Sequence, residues 1–344
     1  MTSYSPRLVP LTIILSGALT GTTAGAQGAS TSFRLEEVYR VGTSDSSGVE
    51  DPQRLFLVAG ALLDCEQNLL VLDAGHGRVQ MFRRGGAYWH TLGFGIGPGP
   101  GRFMSASSIS WLVGDSILGV LDRQNSAVTV FRKDEGMVGR IRLPAPLGPA
   151  WSLTVMPGES EYALSAFARD DSTTLQIVSR NFVRLKGTHR WPVERDVILL
   201  NRLGGGFLAA ARSGIVLGER NPARLLFFDT RGSLEDVIPL DEHAPAADST
   251  VVRRGSGGIP MVSSARVAEL TGLAVVSDSI VLLSTSFDDR VGSRFLLVHR
   301  KQGVLRTWES RDTMRIIGGE GGYVVVWLNI GGEFVGVYQL KEEP

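Results

Sequence analysis

A segment that occurs twice constrains the fold of this chain more than any other feature of its sequence. LLVLDAGHGRVQMF begins at Leu69, and LGVLDRQNSAVTVF begins at Leu118. The two segments align without a gap, and both keep the Asp that ends the first apolar run and the Phe that ends the second. Their offset of about fifty residues lies within the range of repeats that each form one propeller blade.

The first copy of this segment belongs to a longer series of strands and turns. Residues 69–72 are consecutive apolar residues, as in a strand that is covered on both faces. Asp and Gly in residues 73–77 favour a tight turn before a second strand at 78–82. A Gly turn at 85–86 then leads to a third strand at 88–92 and a Gly/Pro-rich loop. The unit is therefore most of a β-meander.

Apolar segments of strand length continue to the C-terminus and predict six units, which begin near residues 56, 109, 151, 197, 270 and 314. In the fourth unit, 197–200 and 207–210 are predicted to be the first two strands, and RLLFF from Arg224 the third. The sixth unit is one strand short, whereas FRLEEVYRV at 33–41 has no partner nearby. Pairing that spare strand with the last unit closes a ring and removes an exposed sheet edge. The prediction is an all-β, six-bladed β-propeller of four-stranded antiparallel blades, closed by the N-terminal strand.

Composition supports one folded domain and excludes one class of partner. The chain has 344 residues, 43% of them hydrophobic, and a net charge of +0. Length alone suggests about two domains, but the internal repeat favours a single domain over residues 27–344. The neutral charge argues against a nucleic-acid partner, and we expect a monomer. With Cys65 as its one cysteine, the chain forms no intrachain disulfide.

The first 26 residues are typical of a signal peptide rather than of the fold. Arg7 precedes an apolar stretch at 8–19, and Ala24-Gly25-Ala26 offers small residues for cleavage. The stretch is too short and too interrupted for a good membrane span. We therefore expect cleavage after Ala26, a mature chain without a transmembrane segment, and a periplasmic or extracellular location.

The repeat resembles the NHL-repeat branch of the six-bladed β-propellers. The family pattern is an apolar strand ending in Asp, a turn, Arg-Val-Gln-apolar-Phe, a Gly turn and a Gly-rich loop, here VLDAGHGRVQMF, GG and GFGIGPGPGRF. The resemblance is good over about 56–130 and departs at His76, where Asn is usual, and at Gly77, where His is usual. It implies architecture more than activity, because propellers host binding, scaffolding and catalysis alike.

Common catalytic signatures are absent from the sequence, which contains neither His-Glu-x-x-His nor Gly-x-Ser-x-Gly. Only His76 and His243 are predicted in loops of one common face, since His90 and His189 fall on outer strands and His299 ends a third strand. The His-ligated metal of related lyases is therefore disfavoured. Lactonases of similar shape hold a metal with Glu, Asn and Asp, and turn aspartates here could supply such oxygens. Turn aspartates more often cap their own backbone.

Propeller geometry places second-to-third strand loops and blade-to-blade loops on one face. The longest predicted loops, 93–108, 211–223 and 241–265, are of these kinds, and 241–265 is expected to be a mobile cover. We expect an exported binding or scaffold protein, without a cofactor, that recognises a small polar ligand or a protein partner on this face. The alternatives are a metal-dependent hydrolase or lyase with a divalent metal, a subunit of an envelope assembly, and an ordinary solvated rim. The candidate ligand-binding residues are Asp73, His76, Asp122, Arg123, Arg212, Arg253, Arg254, Asp288 and Arg290.

Overall fold

Strands account for all of the regular secondary structure that a computed structural model of the chain describes. The described residues are 32–43, 51, 53–145, 147–158, 160–168, 170, 172–190, 205–220, 223–240, 250–254, 260–264, 269–286, 292–330 and 332–343. Within them the chain forms 26 β-strands, β1 to β26 in chain order, and no helix.

Twenty-four of these strands form six four-stranded antiparallel sheets, the blades. Blade 1 contains β2 (Val58–Leu63), β3 (Leu69–Asp73), β4 (Arg78–Phe82) and β5 (Tyr88–Leu92). Blade 2 contains β6 (Ala106–Val113), β7 (Ile117–Asp122), β8 (Ala127–Arg132) and β9 (Gly136–Arg142). Blade 3 contains β10 (Leu147–Val155), β11 (Glu161–Ala168), β12 (Leu175–Ser179) and β13 (Arg184–Gly187).

The remaining blades follow the same order of strands. Blade 4 contains β14 (Gly206–Ala211), β15 (Gly214–Arg220), β16 (Ala223–Asp229) and β17 (Leu234–Pro239). Blade 5 contains β20 (Glu269–Ser277), β21 (Ile280–Ser286), β22 (Ser293–His299) and β23 (Gly303–Ser310). Blade 6 contains β24 (Thr313–Glu320), β25 (Tyr323–Asn329), β26 (Glu333–Glu343) and, as its fourth strand, β1 (Ser32–Thr43).

The first strands of the blades make contacts around a complete ring. β2 contacts β6, β6 contacts β10, β10 contacts β14, β14 contacts β20, β20 contacts β24, and β24 contacts β2 again. The six sheets therefore surround one central axis with their first strands innermost. The prediction of a six-bladed β-propeller with four-stranded antiparallel blades is confirmed.

Burial on two faces explains why the second strands have continuous apolar runs. Every residue of β3 is fully buried. Leu69 and Val71 pack with residues of blade 6, whereas Leu70 and Leu72 pack with residues of blade 2. Because successive side chains of a strand point to opposite faces, each blade is covered on both sides by its neighbours, and alternation with polar residues is not required.

The N-terminal strand closes the ring as the sequence predicts. β1 pairs antiparallel with β26, from Ser32 opposite Glu343 to Thr43 opposite Glu333. Its register shifts between Glu37 and Tyr39. Val38, which we expected to be buried, is therefore 41% exposed, while Tyr39 on the far side of the bulge is buried. The strand removes the free edge of β26. The prediction for this strand is wrong only in the burial of Val38.

Blade 4 differs from the predicted strand assignment. The stretch 211–223, expected to be a loop, contains β15, so that 206–211 is the first strand and not the second. Residues 197–200 lie outside the described part. The strand GIVLGER contains two glycines, a residue that is depleted in strands. At Gly218 a Cβ atom would lie 2.5 Å from a side-chain carbon of Leu270, so Leu270 of blade 5 packs into the space that a larger residue would occupy.

The long connection from blade 4 to blade 5 contains regular structure. β18 (Thr250–Arg254) and β19 (Pro260–Ser264) pair antiparallel as a separate two-stranded sheet. The expectation of a loop throughout 241–265 is therefore wrong for these two strands. Their sequences, TVVRR and PMVSS, contain the β-branched residues that favour strands.

Candidate functional site

A central channel runs between the first strands of all six blades. It has a volume of about 1560 Å³ and is lined by residues of β2, β6, β10, β14, β20 and β24. We call the face with the second-to-third strand turns and the blade-to-blade connections the upper face, and the opposite face the lower face. A channel of this size is large enough to hold a small ligand or several side chains of a partner.

Asp73, the first predicted site residue, is buried inside its own turn. Its Oδ1 accepts hydrogen bonds from the backbone N–H groups of Phe56 at 3.1 Å and His76 at 3.2 Å. Its Oδ2 lies 2.7 Å from Nδ1 of His76 and accepts from Nε of Arg78 at 3.2 Å. Because these groups occupy both oxygens of a fully buried carboxylate, we assign Asp73 and His76 to holding the turn and not to binding a ligand.

Asp122 in blade 2 occupies the position that Asp73 has in blade 1, and it also accepts hydrogen bonds from backbone N–H groups. It accepts hydrogen bonds from the backbone N–H groups of Met104 at 2.9 Å, Ser105 at 3.1 Å and Asn125 at 3.3 Å, and from Nδ2 of Asn125 at 2.5 Å. Like Asp73, it is fully buried. Each carboxylate fixes the segment that enters the first strand of its own blade, which is the capping role that turn aspartates commonly have.

A third carboxylate cluster, in blade 4, was not predicted. Nε2 of His189 lies 2.8 Å from Oε1 of Glu219, and Nε of Arg224 donates to Oε2 of the same carboxylate. β13 ends at Gly187, so the placement of His189 on an outer strand is wrong. A sequence signal was available: Arg224 follows Glu219, and Arg78 follows Asp73, at the same separation in their repeats.

Two arginines line the upper end of the channel. Arg315 on β24 donates to the carbonyl oxygen of Val58, and its guanidinium carbon lies 4.8 Å from the centre of the Trp327 ring. Arg220, the last residue of β15, lies 4.8 Å from the Phe207 ring. Burial lowers the pKa of Arg315, Glu333 raises it, and the positive charge of Arg220 lowers it again. The two guanidinium groups are therefore close enough to repel each other.

Arg123 is the one predicted site residue that the described side chains place beside the upper end of this channel. It follows β7 on the upper face, and its guanidinium carbon lies 5.8 Å from the ring of Trp151, which lines the channel. Burial lowers the pKa of Arg123, although an arginine stays protonated at neutral pH. We call Arg123, Arg220 and Arg315 together the arginine mouth.

The lower end of the channel has the opposite charge. Its lining includes the carboxylates of Asp115, Asp278 and Glu320, which stand at first-to-second strand turns. Desolvation raises the pKa of Glu320, and the negative charge of Asp115 raises it further. Arg212 also lies at this end, where its backbone N–H donates to Oδ1 of Asp278 at 2.7 Å. The prediction that Arg212 joins the upper face is wrong, because β15 was taken for a loop.

The other predicted site residues remain untested by side-chain geometry. Arg253 and Arg254 lie in β18, of which only the backbone is described, and Asp288, Arg290 and His243 lie outside the described residues. In the described part of the chain, no group of three or more His, Cys, Asp or Glu side chains could hold a metal ion. The metal-dependent alternative therefore gains no observation from these residues.

Comparison with known proteins bears on the fold. No family model matches the chain, and no curated protein matches its sequence. A crystal structure from Bacteroides fragilis NCTC 9343, named as a candidate exported protein, is similar with a TM-score of 0.59 and 10% identity, over 91% of this chain and 96% of that one.

Two further solved structures are more distantly similar. Hydrazine synthase of Kuenenia stuttgartiensis has a TM-score of 0.47 and 8% identity, over 83% of this chain and 80% of that one. The β-propeller domain of Cps50 (Swd1) of Myceliophteria thermophila has a TM-score of 0.45 and 12% identity, over 82% and 96%. At these levels of similarity they carry no argument about this chain. From its own strand order and ring of contacts, the chain is a six-bladed β-propeller.

Proposed function

We propose that this propeller is an exported binding protein that recognises an anionic polar group at the arginine mouth. The observation that carries the proposal is the pair Arg220 and Arg315, two arginines from different blades that both line the upper end of the channel. The carboxylates that line the channel lie at the other end. Arginine suits carboxylate and phosphate because its fork of N–H groups donates two parallel hydrogen bonds.

The contrast with other arginines of the fold supports this proposal. Arg78 and Arg224 have a carboxylate in direct contact, in Asp73 and Glu219. Arg315 forms no ion pair with any residue in the described ranges, and its Nε is buried there without a hydrogen-bond partner. The nearby Glu333 carboxylate instead accepts from the backbone N–H of Val58 at 3.4 Å. Arg315 thus keeps donor capacity that its blade does not use.

Export rests on the sequence at the N-terminus. Residues 1–26, outside the described part, carry the charge, apolar and small-residue pattern of a cleaved leader. The similar protein of Bacteroides fragilis is also named as a candidate exported protein. Among the described residues, no helix is both long and apolar enough to cross a membrane.

We also propose that blades 1 and 2 are NHL-type repeats in which Gly77 has replaced the usual His. Gly77 has a φ of +65°, and a Cβ there would lie 2.4 Å from the backbone of Gly95. A side chain at this position would displace the Gly-rich loop. The departure from the family pattern at Gly77 therefore has a local steric reason.

Titration with small anions tests the binding proposal. Succinate, citrate and inorganic phosphate are titrated into the purified protein at low ionic strength, where charge attraction is least screened. At least one should bind, and Arg220→Gln/Arg315→Gln should weaken that binding by about tenfold or more, as the loss of charged hydrogen bonds implies. The matched control is Arg142→Gln/Arg311→Gln, an equal charge change at two exposed arginines.

The control should bind like the parent, and both variants should melt like it. Equal anion binding by the parent and the Arg220/Arg315 variant would refute the placement of the site. Failure of all three anions to bind the parent would refute the anionic specificity itself.

A further inference from the structure

An exposed apolar surface adjoins the arginine mouth on the upper face. We define it as the apolar rim; it consists of side chains that are 37% to 67% exposed, namely Phe56, Leu57, Phe94, Ile96 and Met104. The other large apolar side chains exposed in the described ranges lie singly or in pairs on outer strands or next to them, such as Val183 and Leu185. A group of exposed apolar side chains on neighbouring segments is typical of an interaction site.

The three backbone segments that carry the rim are hydrogen-bonded to one another. The Phe56 ring lies 5.9 Å from that of His76, and the carbonyl of Phe56 accepts from the N–H of Gly75 at 2.9 Å. The carbonyl of Gly77 accepts from the N–H of Gly95 at 3.2 Å. The entry to blade 1, the β3–β4 turn and the Gly/Pro-rich loop are thus fixed to one another.

The rim meets the arginine mouth at two points. Leu57 lines the channel, and the next residue, Val58, accepts the hydrogen bond from Arg315. At the other point, Met104 is followed by Ser105, whose carbonyl accepts from the backbone N–H of Arg123 at 2.9 Å. A partner that covers the rim therefore reaches positive charge at both of these points.

Leu57 shows that the rim is built at a conformational cost. Its φ is +52°, in the left-handed region that bulky residues rarely adopt. The side chain is nevertheless mostly exposed. Neither local preference nor burial accounts for a leucine here, and strained residues of this kind cluster at ligand-binding positions.

Resting on the proposed function, we propose that the anionic group belongs to a protein partner, and that the occupant is an extended peptide segment which carries a carboxylate beside apolar side chains. The carboxylate enters the arginine mouth, and the apolar side chains cover the rim. Charge complementarity selects this occupant over a nucleic acid, because the net charge is +0 and the cations face the channel instead of forming a row along the surface.

Peptide selection provides the test. A random-peptide library displayed on phage is selected against the immobilised protein, and enriched sequences are synthesised for titration. We expect them to contain Asp, Glu or a free C-terminal carboxylate next to apolar residues. Phe94→Ser/Ile96→Ser should weaken peptide binding by about tenfold or more, since aromatic anchors carry much of the binding free energy of interfaces. It should leave small-anion binding unchanged.

Two variants separate loss of the surface from loss of the fold. Val183→Ser/Leu185→Ser removes exposed apolar side chains elsewhere and should bind peptide like the parent. Leu57→Asn replaces leucine by a residue that tolerates positive φ. It should therefore melt at the same or a higher temperature and still bind peptide more weakly, a combination that a merely structural role would not give.

The outcomes distinguish this inference from the proposed function. Small-anion binding without any selected peptide refutes the peptide partner and leaves the anion site standing. The inference is also refuted if the selected peptides bind the Phe94/Ile96 variant and the Arg220/Arg315 variant as tightly as they bind the parent. Vesicles of phosphatidylglycerol that bind the parent, but not the Phe94/Ile96 variant, in the absence of peptide selection would assign the rim to a membrane and overturn the peptide partner.

Discussion

At the scale of single residues, the acids that end second strands are the main polar supports of the upper face. Asp73 and Asp122 each collect several donors from the chain that enters their blade. A buried donor that loses its acceptor costs more free energy than the bond itself contributed, because it has already lost its water. These carboxylates are therefore sites where a small change in the side chain has a large effect on stability.

Asp122→Ala tests this reasoning. The variant leaves the N–H groups of Met104, Ser105 and Asn125 without their acceptor, and we expect a loss of about 2 to 4 kcal/mol in the free energy of unfolding. Urea denaturation measures the loss. Asp134→Ala, at an exposed position, should stay within about 0.5 kcal/mol of the parent. Equal stability of the two variants would contradict the capping role.

The sequence predicted some of the site residues and missed others for a geometric reason. The spacing from Asp73 to Arg78 identifies the turn, and its repetition from Glu219 to Arg224 was visible without a structure. Arg315 and Arg220 were not identified as a pair, because they are distant in sequence and meet only across the channel. Arg212 was placed on the wrong face, since one misassigned strand moves every following turn of its blade to the opposite side.

At the scale of elements, β1 contributes both burial and edge protection. Phe33 and Leu35 join one hydrophobic cluster, and Tyr39 and Val41 join another. Each fully buried side chain of this size contributes about 1.5 to 3 kcal/mol. Without the strand, β26 would present unpaired backbone groups at a sheet edge, and such edges promote aggregation.

Removal of β1 should therefore destabilise the whole ring. A protein that starts after Gly42 should lose several kcal/mol of stability, at about 1.5 to 3 kcal/mol for each buried side chain lost. Thermal denaturation compares it with a protein that starts at Ser32. A matched pair of point variants refines the test, since Leu35→Ser should destabilise and Val38→Ser, at the exposed bulge, should not. Equal melting of the two truncated proteins would show that β1 is dispensable.

Strands could be predicted from the sequence where neighbouring blades cover both of their faces and the apolar run has no interruption. LLVLD at Leu69 needs no alternation, because neighbouring blades cover both of its faces. The criterion of an uninterrupted apolar run does not identify GIVLGER as a strand. Gly218, which packs close to Leu270, interrupts the run, although the strand is paired along its whole length. Propensity therefore gives way where tertiary packing requires a small residue.

At the scale of the whole molecule, the number of blades could be predicted by counting the repeats in the sequence. The closure of the ring by β1 could be predicted by counting the strands. The charge arrangement along the channel could not be predicted in this way. The composition gives only a net charge of +0, whereas the structure places Arg220 and Arg315 at the upper end of the channel and three carboxylates at its lower end. A neutral chain can thus have a strongly polar channel.

The location of the molecule gives a further prediction. We expect the leader to be removed after Ala26, because small residues at 24–26 follow the apolar stretch. Mass spectrometry of the N-terminus of protein from its native source decides the matter. A mature chain that begins at Gln27 agrees with export, whereas retention of Met1 to Ala26 would contradict it.

The pairing of Ser32 with Glu343 also has a consequence for the order of events during folding. The last blade takes its fourth strand from the opposite end of the chain, so that it cannot be completed before the final residues are available. Contacts of such long sequence separation are slow to form. The ring therefore stays open until both ends of the chain are available, which suits the export of an unfolded chain that the proposed leader would direct.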